Sequence, residues 1–447
     1  MTKNEFISKR RNLGTMCQAP HTNLYLGHKG IASVCCANRS FTLGQYPDQT
    51  LLQIWNGEKI KELRKELDNF SFKKGCFQCK YFLDMEKFKL LKITHYDAPD
   101  NVYKGLEYPY RLDLELDNTC NLECKMCNGV FSSSIRKNRE NRPAYISPYY
   151  NNNFLKELTP FLLNAKQINF YGGEPFLIKI YSDIFDILLD NKSQANIFIQ
   201  TNGTVFSSKV EKILKKLNLN LGVSIDGGTK EVYENIRKNS SYEKVIENCN
   251  IFKNILKEKN KKFFISTVLC KENIHDLLNI AVLANKFETD VYFQHVVHPV
   301  NMSLENMSFL ELKYLVDFFE NSLKSIVFKF LPKNSNYYSL LDAVEFVKNI
   351  YKQKIENKKE IYDANNAFNS FFDDATIENL REYDKEKYNL LEKAAQDNNL
   401  KLEYLEDFLK LFSSSIFSKN NFSKNNSKQA TLDEFKQGLE KYLKHVV

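Results

Sequence analysis

Between about residues 110 and 300, short apolar runs alternate with stretches whose apolar positions recur at helical spacing. This pattern predicts successive βα units feeding a parallel sheet. Six strands are expected, at 111–116 (RLDLEL), 167–172 (QINFYG), 196–201 (NIFIQT), 220–225 (NLGVSI), 263–269 (FFISTVL) and 290–297 (DVYFQHVV). Between them lie helical-period segments such as YSDIFDILLDN and YEKVIENCNIFKNILKEK. The expected fold class is α/β, an open partial (β/α)6 barrel over 101–300. In parallel βα sheets the chemistry gathers at the carboxyl ends of the strands. Four motifs fall there: CNLECKMC after the first strand, GGEP after the second, TNG after the third and DGG after the fourth.

The flanks have a different rhythm. Residues 1–100 show short strands, turn signals, clustered cysteines and one helix over QTLLQIWNGEKIKELRKELDNF, which predicts a small separate module. Residues 301–447 are rich in Lys, Asn, Glu and Phe, with amphipathic runs such as LELKYLVDFFENSLKSIVFKFL and LDEFKQGLEKYLKHVV, and predict a helical extension. The polar, low-complexity stretch at 413–429 reads as a linker.

Composition narrows the function. At 447 residues and 43% apolar, the chain can bury ordinary cores. The formal charge of +8, from 63 basic against 55 acidic residues, is mild for this length and argues weakly for nucleic acid, so it reads as solvated surface. No stretch approaches the roughly 20 consecutive apolar residues of a membrane span, and the start MTKNEFISKRRNLG lacks the apolar core of a secretory signal, so a cytoplasmic protein is expected. Thiols there stay reduced, and clustered cysteines point to metal binding or catalysis. Eight of the ten cysteines are clustered: Cys17, Cys35, Cys36, Cys76, Cys79, Cys120, Cys124 and Cys127.

A structural zinc site calls for a fourth protein ligand, which Cys120, Cys124 and Cys127 do not supply. A four-iron cluster held by three thiolates keeps one iron open to an exogenous ligand. The CxxxCxxC spacing after the first strand of a βα run resembles the radical S-adenosylmethionine (SAM) superfamily, and the resemblance implies a [4Fe–4S] cluster on these cysteines with SAM on the open iron. The position before the third cysteine, often aromatic in that family, is Met126, whose thioether can pack against an adenine.

YGGEP resembles the family's motif for the methionyl amino group. On that reading Gly172 and Gly173 let the backbone approach the ligand, Glu174 offers a carboxylate, and Pro175 belongs to the same SAM-binding motif. QTNG and SIDGG resemble segments facing the ribose and the methionyl carboxylate, which implies roles for Thr201, Asn202, Ser224 and Asp226; as plain sequence they are also good turn formers. Arg237 matches a position from which it could pair with the SAM carboxylate. The adenine segment is indistinct, with Thr267 and Val268 as candidates.

CQAPHTNLYLGHKGIASVCC, the IWN-helix-LR run and GCFQCKYF together resemble the auxiliary-cluster modules called SPASM and twitch domains, over about residues 14–83. The resemblance implies a second [4Fe–4S] cluster on Cys17, Cys35, Cys76 and Cys79, with Cys36 spare; a zinc knuckle on the same residues is the competing reading. Such modules usually follow the barrel, whereas this one precedes it. His295 and His298 fall on opposite faces of the last strand, poor geometry for a shared metal, and Cys249 and Cys270 read as core thiols, Cys270 with a secondary reading as hydrogen-atom donor.

The activity implied is reductive SAM cleavage to a 5′-deoxyadenosyl radical that abstracts hydrogen from a peptide or protein, as in the maturation of ribosomally made peptides by crosslink, thioether or epimerisation. A flavodoxin- or ferredoxin-type reductant would be the partner. Oxidation of a carbohydrate or other small alcohol is the alternative, and a non-enzymatic metal-bound scaffold a third.

Overall fold

The computed structural model describes residues 2–88, 91–98, 103–143, 149–324, 331–366, 389, 392 and 393. Among the described residues, nine strands form one sheet in the order β3-β2-β1-β4-β5-β6-β7-β8-β9. They are β1 (Asn23–Leu26), β2 (Ile31–Ser33), β3 (Gly44–Gln45), β4 (Arg111–Leu114), β5 (Gln167–Phe170), β6 (Asn196–Thr201), β7 (Leu219–Ser224), β8 (Phe263–Leu269) and β9 (Asp290–His295). Strands β4 to β9 are mutually parallel and correspond to the six expected barrel strands.

The first hundred residues add their strands to the barrel sheet: β1 pairs in parallel with β4, Asn23 opposite Arg111, and β2 and β3 continue antiparallel from it. One hydrophobic core runs from Phe6 through Trp55 to Val291. The physical reason is the edge of β4, whose free N–H and C=O groups are satisfied by β1. The segment begins with α1 (Lys3–Asn12) and α2 (Ala19–Thr22). Its single expected helix is two, α3 (Leu51–Trp55) and α4 (Glu58–Asp68), broken at Asn56 and Gly57. Trp55, fully buried between them, lies under the Arg64 guanidinium at 4.7 Å. The short helix α5 (Phe77–Asp84) follows.

The barrel helices are α6 (Ser133–Asn138), α7 (Asn152–Asn164), α8 (Lys179–Asp190), α9 (Ser208–Lys216), α10 (Lys230–Ile236), α11 (Tyr242–Glu258) and α12 (Leu277–Lys286). Ser207, Thr229 and Ser241 cap α9, α10 and α11 through their hydroxyls, as helix starts prefer. Alternation in the strands sorts the two faces of the sheet. Leu112, Leu114, Ile168, Phe170, Ile197 and Leu221 join the core. Residues of opposite parity carry a polar and aromatic inner face: Asp113 accepts from Asn23 Nδ2 (3.0 Å) and Asn169 Nδ2 (2.6 Å), and Phe198 stacks on Phe264 at 5.7 Å.

The chain divides into two compact units, one of 1–307 with 318–347, the other of 308–317 with 348–447. The described part of the extension is helical, in α13 (Phe309–Lys324) and α14 (Ser335–Asn366), and in the second unit Phe309 stacks on Tyr351 at 5.0 Å. The expected linker at 413–429 and the amphipathic run at 432–447 lie outside the described residues. Among the described residues no helix is long and apolar enough to cross a membrane.

Candidate active site

The loop leaving β4 carries Cys120, Cys124 and Cys127 over the carboxyl ends of the parallel strands. Its backbone is fastened at both flanks of the middle cysteine: Glu123 N donates to Lys238 O (3.0 Å) and Lys125 N to Ile236 O (2.9 Å). Cys127 N closes a turn onto Cys124 O at 3.0 Å, and Cys120 N donates to Ser133 Oγ at the start of α6. Burial disfavours the thiolates, pushing Cys120 up to about 11 and Cys127 up to about 12; Cys124 is also raised by burial, with Arg237 opposing. A metal that supplies positive charge would reverse that penalty.

GGEP, after β5, holds this loop. Gly172 (φ +78°) and Gly173 (φ +36°) take left-handed backbone, and a Cβ on them would stand 2.8 Å from Asp117 O and 2.2 Å from Thr119 O. The glycines therefore let two backbones touch. The fully buried carboxylate of Glu174 accepts from Thr201 Oγ1 (2.7 Å), Asn202 N (2.6 Å) and Phe176 N (3.2 Å), and so ties the strand ends together. Thr201 is correspondingly a structural hydroxyl, and Pro175, next to Glu174, is buried.

Asn202 retains a place at the cysteines: its Nδ2 lies 3.0 Å from Asn121 Oδ1 and 3.9 Å from Cys120 Sγ. Ser224, half-buried at the end of β7, accepts from Gln200 Nε2 at 2.7 Å on the inner face. Asp226 is fully buried, accepting from Val268 N (2.7 Å) and pairing with Arg237 Nη2 (2.6 Å), so it supports Arg237 and is not exposed to a ligand. Arg237 follows α10, and its Nη1 reaches Cys124 Sγ at 3.9 Å. Its buried Nε–H has no hydrogen-bond partner among the described residues. An uncompensated buried donor on a side chain that reaches Cys124 is what an additional acceptor at this site would satisfy.

Met126 packs against a satellite cluster of Ile236, Cys270, Val296 and Met302. Cys270 and Cys249 are fully buried, in keeping with core thiols. Thr267 is buried and spends its hydroxyl on Ile225 O at 2.6 Å. His295 stacks on Phe346 at 3.7 Å, and burial holds it down to about 4.

In the amino-terminal segment, Cys17, Cys35, Cys76 and Cys79 line one cavity together with Asn38, Lys92 and Tyr96. Cys36 does not line it; its exposed thiol lies 3.9 Å from Tyr96 Oη. Burial raises all four lining thiols, Cys76 up to about 12. Among the described residues no three Cys, His, Asp or Glu side chains close on a single point, as one zinc ion would require. Four thiols around one cavity match the ligand number of a zinc ion and of a four-iron cluster alike. Sequence reading missed Asn38, whose Nδ2 donates to Cys76 Sγ at 3.2 Å, and the bidentate pair of Arg39 with Glu115 (3.0 and 2.9 Å), which joins the Cys35–Cys36 turn to β4. Only the position of Asn38 and Arg39 just after the cysteine pair could have flagged them.

Fold and sites define a parallel βα barrel with a thiol triad at its carboxyl end and a four-thiol cavity on its edge. Residues 114–284 match the radical SAM superfamily and residues 17–80 match SPASM, an iron–sulfur cluster-binding domain. The chain thus carries a radical SAM domain match preceded by a SPASM domain match, and these two domains together imply SAM and two [4Fe–4S] clusters. Among known proteins it is 32% identical over 171 residues to an uncharacterized protein of Methanocaldococcus jannaschii, covering 36% of this chain and 54% of the relative. It is 24% identical to the radical SAM cyclopropyl synthase TigE of Paramaledivibacter caminithermalis (40% of each chain). It is 25% identical to the mycofactocin maturase MftC of Mycobacterium tuberculosis (41% of this chain, 44% of the relative). The chain spans about half the length of the curated relatives it matches.

Proposed function

We propose that this protein is a radical SAM enzyme modifying a peptide or protein substrate, with the catalytic cluster on Cys120, Cys124 and Cys127 and an auxiliary cluster on Cys17, Cys35, Cys76 and Cys79. The observation that carries this is the convergence of the cysteine loop, Asn202 and Arg237 at the carboxyl ends of parallel strands, together with a second set of four thiols around one cavity. When bound, such a cluster and SAM supply a one-electron cleavage that yields methionine and a hydrogen-abstracting 5′-deoxyadenosyl radical.

The chain's residues hold and shape that site. Gly172, Gly173 and Glu174 clamp the loop to β5 and β6; Asn202 and the half-buried Ser224 offer polar groups toward the inner face. The names of the relatives, a maturase and a cyclopropyl synthase, support modification of a substrate scaffold. The clustered cysteines, read as cluster ligands, suit the cytoplasm, and the electron would come from a flavodoxin- or ferredoxin-type carrier.

Anaerobically reconstituted protein, given SAM and dithionite, is expected to release 5′-deoxyadenosine, read by mass spectrometry. Full iron loading without SAM cleavage would overturn the reading. Untargeted comparison of small peptides and metabolites with and without the protein identifies the substrate; a change confined to sugars or small alcohols would replace the peptide assignment.

A further inference from the structure

We propose that Arg237 is a positioning residue for the three-cysteine cluster: held by Asp226, its guanidinium orients Cys124 and raises the cluster's reduction potential. This rests on the cluster assignment above and adds a role for a side chain that the sequence suggested as a SAM-carboxylate partner.

The placement begins with backbone. Glu123 N bonds to Lys238 O and Lys125 N to Ile236 O, so residues 123–125 run antiparallel to 236–238 with Cys124 directly across from Arg237. The backbone of Arg237 has left the helix (φ −97°, ψ +66°), which ends α10 and turns the side chain to the loop. Asp226 fixes the far side of the guanidinium at 2.6 Å, and Asp226 is itself pinned by Val268 N on β8. Nη1 is thereby set 3.9 Å from Cys124 Sγ, within reach of a sulfur acceptor.

Both terminal nitrogens are committed, Nη2 to a carboxylate and Nη1 toward a thiol. A ligand carboxylate would meet a guanidinium already turned to Asp226 and Cys124, with Nε–H still open to an acceptor. What the geometry offers is a permanent cation, 7% exposed, beside a cluster ligand. Hydrogen bonds to the ligand sulfurs, local charge and solvent exposure set iron–sulfur potentials, and an arginine cation favours the more negative, reduced state. Asp226 offsets part of this charge and holds its direction.

The test is an EPR-monitored redox titration of the anaerobically reconstituted full-length chain, following the signal that changes when SAM is added. Asp226→Asn should titrate at or above the native potential, because the cation stays and a negative charge goes. Asp226→Asn with Arg237→Gln replaces the ion pair by neutral amides, which keeps the buried site free of a lone charge. It should titrate at least 59 mV below Asp226→Asn, a tenfold smaller ratio of reduced to oxidised cluster at fixed potential. Arg237→Lys, which keeps the charge and loses the fork, should fall between. Equal potentials for the single and double variants, both with full iron, would overturn the proposal; if SAM affinity alone drops, Arg237 is a SAM contact. A native protein with no SAM-sensitive signal and iron near half the expected content would instead defeat the cluster assignment.

Discussion

Cys120, Cys124 and Cys127 lie within eight consecutive residues, whereas Cys17, Cys35, Cys76 and Cys79 are gathered from more than sixty. The short loop is held from outside, by carbonyl contacts at Gly172 and Gly173, by Glu174 on Asn202, and by the 236–238 segment. The four-thiol cavity is lined by its own segments, with Leu67, Phe72 and Ile93 among its walls. A local motif borrows rigidity from a barrel; a dispersed site must have its fold before its thiols can meet. The two should therefore respond differently to ligand loss, with the barrel surviving removal of its cluster and the amino-terminal segment depending more on its own.

The largest expected effect is on the loop. Replacing Cys120, Cys124 and Cys127 together by Ala should abolish 5′-deoxyadenosine formation under dithionite while leaving about four of about eight irons per chain, counted by iron and sulfide analysis. Persistent SAM cleavage in that variant breaks the division of labour.

Replacing Cys76 and Cys79 by Ala should halve the iron content and leave SAM binding and reductive cleavage in place. The substrate-dependent product should disappear. Normal product with normal SAM binding would make the amino-terminal site structural.

The choice within the cysteine pair is sharper and smaller. Cys35→Ser should lower iron loading of the auxiliary site, since Cys35 lines the cavity, whereas Cys36→Ser should leave iron content unchanged. The reverse pattern in iron analysis would exchange the two assignments.

Glu174→Ala strips a buried acceptor from Thr201, Asn202 and Phe176 and should cost about 3 kcal/mol of stability, seen as a lower unfolding midpoint even without cluster or SAM. An unchanged midpoint in the apoprotein would leave Glu174 with a ligand-binding role only.

The smallest effect is on pH. His95 and His295 are each held down to about 4, mainly by burial, so the unfolded chain takes up protons that the folded chain refuses. Their contribution to stability is present above the ordinary value near 6.5 and is lost as pH falls toward about 4. Unfolding midpoints should decline across that window, and less so in His295→Phe.

What the sequence alone determined was local: six barrel strands from alternating apolar runs, and the loop cysteines from their spacing, because both depend on residues close in the chain. The position of the module's motifs also named the four thiols that line one cavity. Only the tertiary structure decided that β1 would complete the edge of β4, that Gly172 and Gly173 face backbone carbonyls, and that Glu174 and Asp226 are spent on internal partners. Those outcomes depend on which donors and acceptors packing brings together across 28 residues from Glu174 to Asn202, and 113 from Cys124 to Arg237. Spacing cannot encode such meetings, since a buried carboxylate's role is set by the donors that the fold delivers to it.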